Sequence, residues 1–127
     1  MVDTAKAAQT AARKAIEATY FGTLTVTEIE KVKDASSGLT RSEPKVVLEG
    51  QPCRLSFETL KAAGGAEPVS VVAQVAKLFV SPDVKIGAGA KITVEQDGRT
   101  TDYARSGIPA VYGTHQEIVL ELFERWV

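Results

Sequence analysis

The sequence predicts a mainly β protein, a small β-barrel of about six antiparallel strands with an N-terminal α-helix and long hairpin loops. Three observations predict it. Short β-branched segments of alternating polarity follow one another, the pair Asp97-Gly98 joins two of them, and an alanine-rich segment precedes them all. The chain has 127 residues, 44% hydrophobic and 24% charged. This predicts a single domain over residues 1–127, with a docking helix in 1–20 and the barrel in 21–127.

Residues 3–19 are rich in alanine, the strongest helix former. Asp3 or Thr4 can act as N-cap by accepting hydrogen bonds from the first free backbone N–H groups. Apolar residues recur at three- and four-residue spacing and make a narrow stripe, which consists of Ala8, Ala12, Ala15, Ile16 and Tyr20. Such a stripe buries little area. We therefore expect this helix to dock, either on its own barrel or on a neighbouring subunit.

Strand-forming segments fill most of the remaining chain. They share β-branched residues and alternating polarity, and they cover residues 23–32, 45–49, 53–58, 71–80, 91–96 and 99–103. The apolar phase slips between Val26 and Ile29, which predicts a bulge or a strong twist. Gly50 and Pro52 interrupt the second extended stretch, as is typical of a bulge or an edge position. Asp97-Gly98 supplies the positive φ angles of a type I′ turn and predicts a β-hairpin.

The C-terminal segment, residues 114–126, fits two structures. Ile118 and Leu120 alternate with polar neighbours as in a strand, whereas Val119 and Phe123 have helical spacing. The length of the segment favours a helix, but the β-rich context favours a strand. We predict the strand.

Three connecting segments carry turn signals. Ser36-Ser37-Gly38 predicts an exposed hairpin tip, and Gly107 with Pro109 predicts a further turn. The stretch from Leu60 to Ser70 has paired glycines and small side chains, which predict a mobile loop, with a short helical turn as the alternative.

Charge and cysteine content limit the function classes. The formal net charge is −1 and the pI is about 5.9, which argues against an ordinary nucleic-acid binder. Cys53 is the single cysteine, so an intramolecular disulfide is impossible and a reducing compartment is expected. No stretch approaches the roughly 18 apolar residues of a membrane span. The first residues lack the apolar run of a signal peptide, so we expect a soluble protein without membrane contact.

Candidate catalytic residues are few. His115 and Glu117 could be two metal ligands on one strand face, but no Cys or second His completes the set, so a histidine with one hydrogen bond is favoured. Cys53 could be a nucleophile, yet its apolar neighbours predict a buried side chain. Glu117 and Glu121 would lie about 13 Å apart on a strand, too far for a carboxylate pair acting on one bond. Together with Glu124, these glutamates are expected to form a face that contacts either solvent or a neighbouring subunit. No catalysis and no cofactor are expected.

The remaining polar motifs also favour structural roles. Residues 87–90, Gly-Ala-Gly-Ala, lack the ending of a phosphate-binding loop and predict a tight turn. Arg54, Arg99 and Arg105 are isolated and lack interleaved aromatic residues. An unpacked tryptophan would lower the solubility of the protein, so we expect Trp126 to pack either in the core or at an interface.

Several segments together resemble one family of small phage proteins. They are QPCRLSF at 51–57, KLFVSPDV at 77–84 and the run 91–126, which includes VEQDGRTTDY at 94–103, SG at 106–107, AVY at 110–112 and HQEI at 115–118. The family is that of the head-closure proteins, also called head–tail connector or stopper proteins, of tailed bacteriophages and phage-like prophage elements of Gram-positive bacteria. The resemblance covers residues 20–127 and is weakest over the N-terminal helix.

The resemblance implies a structural virion protein at the head–tail joint, made in the host cytoplasm. Such a subunit would form a ring homo-oligomer, a dodecamer or hexamer, below the portal and its adaptor. The ring would receive the tail terminator or tail-tube protein, help to retain packaged DNA and touch genomic double-stranded DNA transiently. The implied channel-gating loop contains Lys61, Gly64, Gly65 and Glu67. The candidate interface residues are Tyr20, Arg54, Tyr112, His115, Glu117 and Trp126.

Three alternatives remain open at this point. The chain could be a tail-terminator or adaptor protein of the same neck. It could be a non-viral small β-barrel that binds a peptide or an oligonucleotide. It could also be an enzyme that depends on His115 and Glu117.

Overall fold

One helix and seven strands form the part of the chain that the structure describes. The computed structural model describes residues 4–61 and 72–126, with the backbone alone for 59–61 and 72–73. The elements are α1 (Thr4–Glu17), β1 (Gly22–Lys33), β2 (Thr40–Lys61), β3 (Val72–Val80), β4 (Lys91–Gln96), β5 (Arg99–Arg105), β6 (Ala110–Val111) and β7 (Gln116–Leu122). The predicted mainly β fold with one N-terminal helix is confirmed. No helix in these ranges is long and apolar enough to cross a membrane.

The strands form one antiparallel sheet that closes on itself. The order β3-β2-β1-β4-β5-β7 returns to β3 because β7 also pairs with β3, and β6 adds to the free part of β7. Six strands therefore close the ring, in agreement with the predicted number. The ring is not a regular barrel, because β5 and β7 pair only from Tyr103 to Arg105 while β1 and β2 extend far beyond their neighbours.

The β1–β2 pair continues outside the ring as a two-stranded arm. β4 pairs with β1 no further than Thr27, and β3 pairs with β2 from Cys53 onward. The register of β1 and β2 shifts on both sides of Val26, and Gly50 has φ 68°, so the predicted bulge is confirmed. The predicted interruption is not, because β2 runs through Gly50 and Pro52 without a break. The hairpin tip at residues 36–38 is also confirmed.

The core lies inside the ring and comes from alternate residues of its strands. The largest fully buried side chains are Leu24, Leu78, Ile92, Ile118, Val26, Val80, Val94 and Cys53. Inward positions on neighbouring strands face one another at the same level, which produces a continuous apolar interior. The prediction of a buried Cys53 is confirmed, and burial raises the pKa of its thiol to about 12. The thiolate is therefore scarce near neutral pH.

The predicted turns and the predicted C-terminal strand are largely confirmed. Asp97 and Gly98 have φ 53° and 74°, as a type I′ turn requires. The strand prediction for 114–126 holds for β7, while residues 123–126 have no regular structure. Residues 87–90 form the expected turn, closed by the Ala90 N–H donating to the Gly87 carbonyl at 3.3 Å.

Candidate docking site

Helix α1 is fixed to the ring mainly by one arginine. The Arg13 guanidinium donates to Ser81 Oγ at 2.8 Å and to Asp83 Oδ2 at 2.7 Å, both in the turn after β3. It also donates to Glu17 Oε2 at 3.0 Å, one helical turn further along α1. The turn itself is held by Gln116, whose Nε2 donates to the carbonyls of Ser81 and Val84 at 2.8 and 2.5 Å. These bonds set the position of the helix on the sheet.

The helix docks on its own sheet through the C-terminal end of the predicted stripe. Ile16 and Tyr20 of the predicted stripe are half-buried, but Ala8, Ala12 and Ala15 are exposed. The Arg13 bonds hold α1 with Ala8 and Ala12 exposed, while Ala15 lines the groove beside the sheet. Ile16 and Tyr20 of the predicted stripe therefore pack on the barrel of the same chain, and docking of the exposed alanines on a neighbouring subunit remains a prediction.

A groove lies between the C-terminal end of α1 and the outer face of the sheet. It has a volume of about 500 Å³ and is lined by Ala15, Ile16, Thr19, Tyr20, Arg54, Ser56, Phe79 and His115. The strand register explains its floor, because Arg54 pairs with Phe79, and Phe79 pairs with Glu117. Directly paired residues share a sheet face. Since their chain neighbours are buried in the core, this row points outward.

His115 organises one wall of the groove. Its Nε2 lies 2.9 Å from Glu117 Oε2, and its Nδ1 lies 2.9 Å from Thr114 Oγ1. Tyr112 stacks on its ring with centroids 4.9 Å apart and an interplanar angle of 18°. His115 thus has partners at both ring nitrogens, whereas the sequence predicted one hydrogen bond.

Glu117 links this wall to the sheet. Lys77 Nζ lies 3.4 Å from Glu117 Oε1 on the neighbouring strand. The hydrogen bond with His115, followed by the one with Lys77, lowers the pKa of the Glu117 carboxyl. No group of three or more His, Cys, Asp or Glu in the described residues could hold a metal ion. Lys77, Glu117 and His115 therefore form a continuous row of ion-pair and hydrogen-bond contacts along the groove wall.

Two hydrogen-bonding groups of the groove lack partners within residues 4–61 and 72–126. Arg54 is exposed and makes no hydrogen bond or ion pair there. The Tyr20 hydroxyl is buried and has no hydrogen-bond partner. Burial, followed by the nearby charge of Glu17, raises the pKa of Tyr20. The phenol is therefore a neutral group that can still donate a hydrogen bond.

Five of the six candidate interface residues come together at this groove. Tyr20, Arg54 and His115 line it, Tyr112 stacks on His115, and Glu117 bonds to His115.

Trp126, the sixth candidate, is half-buried elsewhere. It packs edge-on against Phe123 with centroids 4.9 Å apart, and Lys91 Nζ lies 5.7 Å from its ring centre. The cleft that it lines also contains Glu28, Ile29 and the turn at residues 87–90.

Some predicted site residues are placed elsewhere or not described. Gly64, Gly65 and Glu67 of the predicted loop lie outside the described residues, as do all residues from 62 to 71. Lys61 ends β2, and its side chain is also outside the described part. Arg105 is not isolated, because it donates to the Ile86 carbonyl at 2.7 Å.

The sequence missed several residues that build the groove. Arg13 carried no motif, and Lys77 and Phe79 lay in the segment 77–84 without being named as site residues. The i,i+4 spacing of Arg13 and Glu17 is a signal for a helical ion pair. The contacts of Arg13 with the turn after β3 bridge 68 and 70 residues, so no local pattern could predict them.

Comparisons with known proteins give one match. No protein-family model and no curated protein matches the chain. The protein xkdH of the phage-like element PBSX of Bacillus subtilis is similar in structure, with a TM-score of 0.49 and 11% sequence identity. The alignment covers 82% of this chain and 96% of that protein. A similarity at this level does not assign a function, so membership of the head-closure family remains a prediction from the sequence.

Proposed function

We propose that this chain is a structural virion protein of a tailed phage, a head-closure subunit that forms a ring between the portal-side adaptor and the tail. The observation that carries the proposal is the ordered series of segments resembling that family. In the fold these segments are neighbours: 51–57 lies in β2, 77–80 in β3, and 94–103 spans the β4–β5 hairpin. Because β7 closes the ring against β3 and β5, the resembling segments make up most of the closed sheet.

The groove supports a docking role for this subunit. It brings α1, which lies outside the strongest resemblance, against the face formed by β2, β3 and β7. Aromatic residues and arginine are enriched at the centres of protein interfaces. Phe79, Tyr112 and Arg54 supply these types at one place, and Tyr112 is 51% exposed. We propose this groove as the surface that contacts the adjoining neck protein.

A role in assembly rather than catalysis also fits the chemistry of the two lone reactive side chains. The Cys53 thiol is buried with a raised pKa. His115 is engaged at both nitrogens by neighbouring side chains. The gating function proposed for Lys61 and the loop that follows stays a prediction from the resemblance.

Deletion of the gene from the phage or prophage that carries it tests the proposal. We expect DNA-filled heads separate from finished tails, or heads that leak DNA, and complementation by the intact gene restores joined particles. Normal infectious particles from the deletion would refute the proposal.

The position of the subunit separates head closure from the other neck roles. Electron micrographs of particles carrying a tagged copy should show label at the head–tail joint. Label confined to the tail tube, or to the top of an unattached tail, would favour a tail-terminator protein instead.

A further inference from the structure

Two residues that line the groove carry hydrogen-bond donors without an acceptor among the described residues. Arg54 Nη and Nε atoms and the Tyr20 hydroxyl have no acceptor among the described residues. A buried hydroxyl without a partner is unfavourable, and bulk water does not reach this one. Arg54 is exposed, so its guanidinium is the donor that an occupant of the groove can reach.

The rest of the lining is apolar or internally neutralised. Ala15, Ile16 and Phe79 offer aliphatic and aromatic surface. On the far wall, Lys77 and Glu117 already neutralise each other. Among the residues that line the groove, Arg54 is the charged side chain without an ion-pair partner in the described part of the chain, whereas Arg13 nearby is paired with both Glu17 and Asp83. Such a groove is complementary to a carboxylate attached to an apolar group.

We propose that the groove binds a segment of a partner protein in which an acidic side chain, Asp or Glu, lies next to a large aliphatic residue. The carboxylate accepts hydrogen bonds from the exposed Arg54 guanidinium. The aliphatic side chain packs against Ile16 and Phe79. This inference rests on the proposed function, because it names the chemistry by which the neck partner would be recognised.

The first test uses capped dipeptides and the intact chain. N-acetyl-Leu-Asp-amide is titrated into ¹⁵N-labelled protein while backbone amide shifts are followed. Small ligands of this size reach a Kd on the order of 1 mM. We expect saturable shifts at the end of α1 and at Arg54 and Phe79, and binding of N-acetyl-Leu-Asn-amide that is about tenfold weaker because the charge-assisted bond is lost. Equal binding of acid and amide, shifts at another surface, or no saturable binding would overturn the proposal.

Matched variants locate the recognition. Arg54→Gln should abolish the preference for the acid over the amide. Arg99→Gln is the control, since Arg99 is also exposed on a strand but lies away from the groove. The amide spectrum of each free variant shows whether it folds. An unchanged acid preference in folded Arg54→Gln would overturn the proposal.

Two further probes exclude other occupants. N-acetyl-Ala-Leu with a free C-terminal carboxylate tests for an α-carboxylate, and an oligothymidylate tests for single-stranded DNA. Tighter binding of either one in the groove would replace the acidic side chain as its occupant.

The same variants separate this inference from the proposed function. If gene deletion blocks head–tail joining but Arg54→Gln assembles normally, the subunit is a neck protein and the groove is not its carboxylate site. If deletion has no effect on head–tail joining while the dipeptide binds as expected, the groove is a carboxylate-binding site and the head-closure function is refuted.

Discussion

The side-chain amide of Gln96 forms two hydrogen bonds with the backbone of Leu55. Its Oε1 accepts from the Leu55 N–H at 2.8 Å, and its Nε2 donates to the Leu55 carbonyl at 3.0 Å. Pairing of β1 with β2 ends at Gly22 and Cys53, so the next inward residue of β2 has no strand on that side. Gln96, at the end of β4, takes the place of the missing strand.

Removing this amide should destabilise the fold. Leu55 is 8% exposed, so Gln96→Ala leaves a buried N–H and a buried carbonyl without partners. We expect a loss of about 2 kcal/mol in the free energy of unfolding, measured by urea denaturation. Gln51→Ala is the matched control, because Gln51 makes one exposed bond of 3.4 Å to Pro52. A Gln96→Ala cost no larger than that of the control would contradict this account.

Gly22 leaves room for the Gln96 amide. A Cβ at Gly22 would lie 2.8 Å from Gln96 Oε1 and 3.2 Å from the carbonyls of Cys53 and Glu95. Gly22→Ala should therefore displace the amide and cost about 1–3 kcal/mol of unfolding free energy. Gly87→Ala is the control, since its Cβ would meet only the Glu28 side chain, at 3.6 Å. In the Gln96→Ala background, Gly22→Ala should lower the free energy of unfolding by less than it does in the wild type, because both changes remove the hydrogen bonds between Gln96 and Leu55. Strict additivity would show that the two residues act independently.

Local sequence predicts those elements whose cause is local. The Asp97-Gly98 turn and the bulge at Val26 follow from backbone preference and apolar phase. β6 was missed because two residues carry no periodicity. The location of the groove could not be predicted, because Tyr20 and His115 line it together only after β2, β3 and β7 have paired, and these strands come from distant parts of the sequence. The sequence named five of its residues as interface candidates but could not show that they lie together.

Removing the Tyr20 hydroxyl should stabilise the protein. This oxygen is buried without a partner in the described part of the chain, so it bears a desolvation cost that phenylalanine avoids. We expect Tyr20→Phe to raise the free energy of unfolding by about 1 kcal/mol. Tyr112→Phe is the control and should change it little, because Tyr112 is 51% exposed. A lower stability of Tyr20→Phe would mean that the hydroxyl has a partner in solution.

Glu117 should make the fold sensitive to acid. Its folded-state pKa is lowered from 4.5 by the hydrogen bonds with His115 and Lys77. A carboxyl with a depressed folded pKa stabilises the fold above its unfolded pKa, and this contribution is lost as pH falls through the folded pKa. Because the side chain is 25% exposed, the contribution is modest, below about 1 kcal/mol.

The comparison of Glu117→Gln with Glu121→Gln isolates this effect. Glu121 lies exposed on the same strand and has no ion pair among the described residues. Urea midpoints measured from neutral pH down to about pH 3 should fall less steeply for Glu117→Gln than for the wild type, since the variant has no carboxyl to protonate there. Glu121→Gln should follow the wild-type curve. Parallel curves for Glu117→Gln and the wild type would show that the bonds with His115 and Lys77 do not stabilise the folded state.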